Sequence, residues 1–223
     1  ALPIKGLENA QPSGLAMADG VLFAVSDKHD HAICRIDITD DAAQLEPFIT
    51  FNAPWSGTWS TRLDFEGLTY ADGSFCLLNV KNARLEGIAL LAPNHFLLAV
   101  EREPRGLIEI WQDEDEDEPH VQAWVTDETR LELPEPRAVD FTDLHLDAGG
   151  LYALARNADA VTPITWSSGQ FEELDVWSFR HVVEDPAYAY ENQTYGKAEG
   201  LTMDDERVSI VLDNNQQPRL ADE

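Results

Sequence analysis

The sequence predicts an all-β protein, a β-propeller, on three observations. A turn-and-strand unit recurs five times, apolar residues come in short runs bounded by Gly, Asp and Asn, and few stretches carry helical periodicity. Strands that recur with turn signals favour closed or radial sheets over βαβ units. All-β folds reach 223 residues as one unit, so residues 1–223 are read as a single domain. Five blades are expected, with six as the alternative count.

The repeats justify this element by element. Ser13-Gly14-Leu15-Ala16-Met17 leads through the turn Ala18-Asp19-Gly20 into Val21 to Val25 and closes on Ser26-Asp27. Glu66-Gly67-Leu68-Thr69-Tyr70 leads through Ala71-Asp72-Gly73 into Phe75 to Leu78 and Asn79. Glu86-Gly87-Ile88-Ala89 passes Pro93-Asn94 into Phe96 to Val100, ending on Glu101-Arg102. The fourth copy diverges: it pairs Thr142-Asp143-Leu144 with Leu151 to Leu154 and Arg156-Asn157, and its lead-in Asp140-Phe141 repeats Asp64-Phe65. Glu199-Gly200-Leu201, a turn at Asp204-Asp205 and Val208 to Leu212 make the fifth, closing on Asp213-Asn214. Outer strands are expected at Ile33 to Ile38, Leu107 to Trp111, Val121 to Val125 and Val161 to Trp166.

One spacing is irregular. Gly67 and Gly87 stand 20 residues apart, whereas a four-stranded blade needs about 40. The second blade is therefore abbreviated, or residues near Val80-Lys81-Asn82 are missing from the chain, and the second explanation is preferred. Leu2 to Leu7 is expected to pair into the last blade as its outer strand and so join the ring.

Composition narrows the partners. Forty-two acids against fifteen bases give a formal charge of -27, which repels nucleic acid and anionic lipid surfaces. No nucleic-acid partner and no membrane insertion are expected, since no apolar run approaches the length of a span. A monomer is expected. Cys34 and Cys76 lie in apolar runs and read as buried free thiols rather than a disulfide framework. The densest acidic run, Asp113 to Glu118, reads as a solvated loop, because it lacks the Gly-punctuated ligand spacing of a calcium loop. Neither a phosphate-cradling glycine loop nor a Gly-x-Ser-x-Gly elbow is present, so no nucleotide or organic cofactor is expected.

The repeat wording resembles the SdiA-regulated and phytase-like (esterase-like activity of phytase) propeller families. The matching pieces are Ser13-Gly14-Leu15 with Val25-Ser26-Asp27, Asp64-Phe65-Glu66-Gly67-Leu68, Glu86-Gly87-Ile88-Ala89, Glu101-Arg102-Glu103-Pro104-Arg105 and Lys197-Ala198-Glu199-Gly200-Leu201. Thr142-Asp143 departs from it, standing where the family tends to have Ser-Gly. The resemblance implies a bacterial propeller that is periplasmic or secreted; it bears on fold more than on activity.

In a propeller the start of each blade's first strand and the end of its second share one face. Ser13, Glu66, Glu86, Thr142 and Glu199 are thus expected to ring the axial opening, with Ser26, Asp27, Asn79, Glu101, Arg102, Arg156, Asp213 and Asn214 close by. Oxygen donors in that density suit calcium, and the expected ligands are Glu66, Glu86, Glu199, Asn79 and Glu101. Alternatively Arg102 and Arg156 neutralise the acids. Two carboxylates about 6 Å apart repel by roughly 3 kcal/mol at an effective dielectric near 20, so converging glutamates need a partner. The plain structural alternative has each Glu accepting turn amides while its Gly supplies an unusual backbone angle.

Two functions follow. One is metal-assisted hydrolysis of an ester or phosphoester, with Glu199 or Asp213 activating water and Arg102, Arg105, Arg156, Lys197 and Asn214 meeting an anionic substrate. The other is noncatalytic binding of a small molecule or ion at the channel mouth, or a scaffold for a protein partner.

Overall fold

The computed structural model describes residues 1–29, 31–51, 65–79, 84–125, 128–167, 170–213 and 217–220. Asp64, Val80 to Asn82 and Asn214 lie outside the described residues.

Among the described residues the strands form five sheets. The first holds β1 (Ile4–Lys5), β2 (Pro12–Ala18), β3 (Val21–Ser26), β4 (Ala32–Ile38) and β5 (Ala43–Thr50), in the order β1-β5-β4-β3-β2. β6 (Phe65–Ala71) and β7 (Ser74–Asn79) form the second. The third is the antiparallel series β8 (Leu85–Ala92), β9 (His95–Val100), β10 (Gly106–Trp111) and β11 (His120–Val125). β12 (Asp143–Asp147), β13 (Gly150–Ala155), β14 (Ala160–Ser167), β15 (Gln170–Glu173) and β16 (Trp177–Ser178) make the fourth, and β17 (Ala198–Met203) with β18 (Val208–Leu212) the fifth. All five expected hairpins form, and each expected outer strand is found as β4, β10, β11 or β14.

Turn chemistry explains the tightest of these hairpins. Asp19 and Gly20 have φ of 51° and 77°, and Asp72 and Gly73 repeat those values. Two consecutive positive φ angles define the two-residue turn whose twist matches paired strands, and Asp-Gly is its preferred sequence.

The sheets are arranged radially. The inner strands pack in sequence, β2 on β6, β6 on β8, β8 on β12, β12 on β17, and β17 returns to β2. Because side chains alternate between the two faces of a strand, each sheet contributes to two wedges of core. Leu15 of β2 packs with Val211 of the fifth sheet, while its neighbour Ala16 packs with Phe65 and Leu68 of the second. Ile88 joins Leu78 on one side and Ala89 joins Phe141 and Leu144 on the other. Leu154 and Val161 meet Ala198 and Leu201, which completes the circuit. Each fully buried Leu or Phe contributes roughly 1.5–3 kcal/mol. The wedges between sheets are therefore the source of cohesion, and the ring is a β-propeller.

Glycines set how closely the inner strands approach. A Cβ on Gly14 would lie 2.7 Å from the Leu68 nitrogen, one on Gly67 2.9 Å from the Glu86 oxygen, one on Gly87 2.6 Å from the Asp143 Cα, and one on Gly200 2.9 Å from the Leu15 nitrogen. None of the four has a positive φ. The expected reason for these glycines, an unusual backbone angle, is replaced by close approach of neighbouring backbones.

Two further expectations change. β1 pairs in parallel with β5, Ile4 opposite Ala43, so the amino-terminal segment belongs to the first sheet and not the last. Leu2, Ile4 and Leu7 pack there against a core that includes Ile36 and Leu45 of the first sheet and Val211 of the fifth, so the segment touches the last sheet through side chains while its backbone pairs with β5. The second sheet is two-stranded among the described residues, and β8 opens the third sheet at Leu85, shortly after β7 ends at Asn79. Cys34 is a buried free thiol, while Cys76 is a half-buried one. No helix among the described residues is long and apolar enough to cross a membrane.

Candidate functional site

Four of the inner strands start with the same irregularity. The pairing register slips between Pro12 and Gly14, Phe65 and Gly67, Leu85 and Gly87, and Ala198 and Gly200. Ser13, Glu66, Glu86 and Glu199 are the residues skipped. A bulge of this kind re-aims a side chain out of the pleat, and here it does so at equivalent points around the ring.

Ser13 of this set and Thr142, which stands just before β12, act as clasps. Ser13 donates from Oγ to the Phe65 carbonyl, joining the first sheet to the second. Thr142 donates from Oγ1 to the Ala198 carbonyl at 2.9 Å, joining the fourth sheet to the fifth. The carboxylate members behave differently.

Their organiser is Arg156, which follows β13 in a short 3-10 turn. Its Nη1 lies 2.7 Å from Glu199 Oε1, its Nε 3.1 Å from Asp140 Oδ2, and its Nη2 donates to Glu101 Oε1. Three carboxylates, one just after β9, one shortly before β12 and one in β17, thus converge on one guanidinium, whose planar fork of donors suits that geometry. The Arg156 side chain is 14% exposed and Asp140 is fully buried. Asp140 is held from its other oxygen by the Asn157 N–H at 2.9 Å. Burial works against the charge on Arg156, but Glu199, Asp140 and Glu101 hold its pKa above the ordinary arginine value.

The acids show the strain of convergence. Burial, then the charges of Glu66, Glu101 and Glu199, push Glu86 up to about 9, with Arg156 acting the other way. Burial raises Glu199 to about 7 against the pull of Arg156, with Asp213 and Asp140 adding repulsion. Both acids are thus held toward their protonated forms near neutral pH, Glu86 more strongly than Glu199, which keeps Arg156 as its partner. Lys197 has its pKa lowered by burial although Asp213 and Glu199 lie near it.

A further carboxyl lies deeper. Asp143 stands at the glycine position of the fourth repeat and is fully buried. It accepts the Leu201 N–H at 2.7 Å and the Leu144 N–H at 2.8 Å, and also bonds the backbone of Leu15. Leu15 belongs to the first sheet, which does not neighbour the fourth, so this side chain spans the axis. Burial raises its pKa well above the usual carboxylate range in spite of those donors.

The expected site residues thus separate into groups. Glu66, Glu86, Glu101, Glu199 and Arg156 are brought together, and Lys197 and Asp213 lie near Glu199. Arg102 is half exposed with its Nε 3.4 Å from Glu101 Oε2. Asn79 is exposed at the end of β7, and Asn214 lies outside the described residues. Arg105 is not at the mouth at all. It is fully buried, with Nη1 on Glu173, Nη2 donating to the Glu128 carbonyl at 2.8 Å, and its guanidinium 4.3 Å from the Phe141 ring centroid. Its role is to join the third and fourth sheets in the core.

The expected calcium set is not gathered into one coordination sphere. Among the described residues, Asp113, Glu116 and His120 are the group of three potential ligands whose atoms all lie within 4.8 Å of one another. Glu101 and Glu199 turn their oxygens to Arg156 instead, so the protein's own cation supplies the neutralisation. Asp140 and Asp143 were not among the candidates read from the sequence. The repeated Asp-Phe lead-in, and the aspartate standing where the other repeats carry glycine, are the signals that mark them.

No protein-family model matches the chain, and no curated protein matches it. Among solved structures it is similar to a protein from Lactobacillus plantarum, at 16% identity and a TM-score of 0.30, over 93% of this chain and 57% of that one. The chain therefore spans a little over half the length of that protein.

Proposed function

We propose that the chain is a noncatalytic binding propeller whose axial face takes a cation beside Arg156, between Glu66 and Glu86. The observation that carries this reading is the convergence of Glu66, Glu86, Glu101 and Glu199 on the single guanidinium of Arg156, a cluster where acids outnumber the cation and where burial and those charges push Glu86 upward. A carboxyl that keeps its proton because it is buried, and because its neighbours are anionic, can exchange that proton for a cation. Calorimetric titration with calcium at pH 7, repeated in two buffers of different ionisation enthalpy, tests it. Saturable binding with release of close to one proton is expected, and Glu86→Gln is expected to remove the proton release. Absence of any saturable heat with millimolar calcium removes the reading.

A second reading, hydrolysis of an ester or phosphoester, is favoured by the separation of Glu199 near 7 from Glu86 near 9. Carboxyls pushed to different values in one cluster supply a base and an acid at the same pH. Glu199 or Asp213 would take the proton from water, with Arg102 and Lys197 facing an anionic substrate. Assays on phosphoesters, carboxylesters and lactones, with calcium added, check this: turnover lost in Glu199→Gln supports it, and absence of turnover leaves binding alone. The extracytoplasmic placement implied by the family resemblance belongs to the same proposal.

A further inference from the structure

The connection between β10 and β11 carries six successive carboxyls, Asp113 to Glu118, and ends on a histidine. Trp111 and His120 are paired across the two strands, so the hairpin closes on an indole and an imidazole. Their rings are stacked, with 5.0 Å between centroids and 16° between planes. Within the connection the Glu116 N–H donates to the Asp113 carbonyl at 3.1 Å, and Gln112 Nε2 donates to the Glu116 carbonyl at 3.0 Å. That turn sets Asp113 beside Glu116, and both side chains face His120.

The result is a mixed nitrogen and oxygen set. One ligand atom from each of Asp113, Glu116 and His120 lies within 4.8 Å of the other two. His120 Nε2 is the shared neighbour, 2.5 Å from Glu116 Oε2 and 3.7 Å from Asp113 Oδ2. Ligand atoms around a tetrahedral zinc ion stand about 3.4 Å from one another, so small rotations of two exposed carboxylates close the set. Stacking on Trp111 adds what a run of flexible acids lacks, a ligand held in one orientation. Trp111 is paired with His95 at the start of β9, whereas Glu101 follows the end of that strand. The set therefore lies at the opposite end of the third sheet from the axial acids.

We propose that Asp113, Glu116 and His120 bind a divalent ion of the zinc type. The imidazole decides the class of ion: it suits zinc, copper and nickel, whereas calcium takes oxygen ligands. A proton on Nε2 serves one carboxylate at a time, while a divalent ion serves all three groups together. The remaining carboxyls of the run add a negative field that concentrates cations at the hairpin.

The test is calorimetric titration of the full chain with zinc in millimolar calcium, which occupies the axial face and so reads the two sites apart. One saturating equivalent of zinc is expected. His120→Ala is expected to weaken it at least about a hundredfold, and Asp113→Asn and Glu116→Gln about tenfold each. These side chains are 41–66% exposed, so the substitutions leave the fold intact. Copper, as a quenching probe, is expected to darken a fraction of the tryptophan emission that Trp111→Phe removes while zinc affinity stays. No saturable zinc binding, unchanged affinity in His120→Ala, or displacement of zinc by calcium overturns the proposal. Zinc binding at the hairpin in a chain that ignores calcium keeps this proposal and removes the axial one.

Discussion

The carboxylate of Asp143 accepts the backbone N–H of Leu201 at 2.7 Å, which ties the inner strand of the fourth sheet to that of the fifth. The same side chain reaches the backbone of Leu15 in the first sheet. A glycine at this point, as in the other repeats, leaves those amides to find other acceptors. Asp143 thus adds a tie across the axis to the cohesion of the wedges.

Asp143→Ala is expected to destabilise the fold by about 1–3 kcal/mol for each buried amide it orphans. Asp143→Asn keeps an acceptor oxygen and matches a carboxyl that burial holds toward its neutral form, so it is expected to cost clearly less. Urea denaturation of both variants at pH 7 checks the order; equal losses would show that the oxygen acceptors are not what matters.

Replacing Arg156 by Met removes the shared partner of Glu101, Asp140 and Glu199. Breaking a buried ion pair from one side costs about 3–5 kcal/mol. The loss is expected to be larger at pH 8 than at pH 5, because protonation at low pH relieves the uncompensated acids. A pH-independent loss measured by denaturant would instead indicate a packing role for the side chain.

Stability is expected to fall as pH rises through the neutral range. Glu86 and Glu199 have folded-state values near 9 and 7, above those of the unfolded chain. The folded state therefore binds more protons than the unfolded state between roughly pH 4.5 and 9, and the slope of unfolding free energy with pH is negative, about 1.4 kcal/mol per unit per proton. The contribution is fully present below the unfolded value and lost as pH climbs through the folded one. Thermal melts from pH 5 to 9 should show this decline, and Glu86→Gln should flatten its upper part. An unchanged slope in that variant would reassign the proton to another acid.

Gly87→Ala is expected to cost more than Gly20→Ala. The new Cβ at position 87 would lie 2.6 Å from the Asp143 Cα, whereas at position 20 nothing lies within 4 Å and only the φ of +77° is unfavourable. Overpacking costs about 1–3 kcal/mol, and a left-handed non-glycine residue about 1–2 kcal/mol. Comparison of the two melting temperatures decides whether close approach or backbone angle sets the glycine requirement.

Much of the architecture was legible because hairpins are local. The turn Ala71-Asp72-Gly73 and the alternation around it specify β6 and β7 without reference to any distant residue. The clustering of Glu66, Glu86 and Glu199 was legible for the same reason, since equivalent positions of a radial repeat face one axis. Their partner was less so. Arg156 was one of two arginines offered for neutralisation, and its choice over Arg102 depends on where the end of β13 falls relative to Glu101, Asp140 and Glu199. Arg105 was misplaced because the buried carboxylate that claims it, Glu173, lies 68 residues away in the chain.

By itself the sequence determined the strands, their turns and the face on which the repeated acids gather, because these depend on a period of two and on the φ preferences of Gly and Asp. Tertiary structure alone decided that a guanidinium would gather the acids of that face, that Asp143 would reach across the axis, and that the amino-terminal strand would join the first sheet. Each of those outcomes turns on charge or apolar surface contributed by chain segments far apart in sequence, and local preference carries no information about which distant group will be nearest.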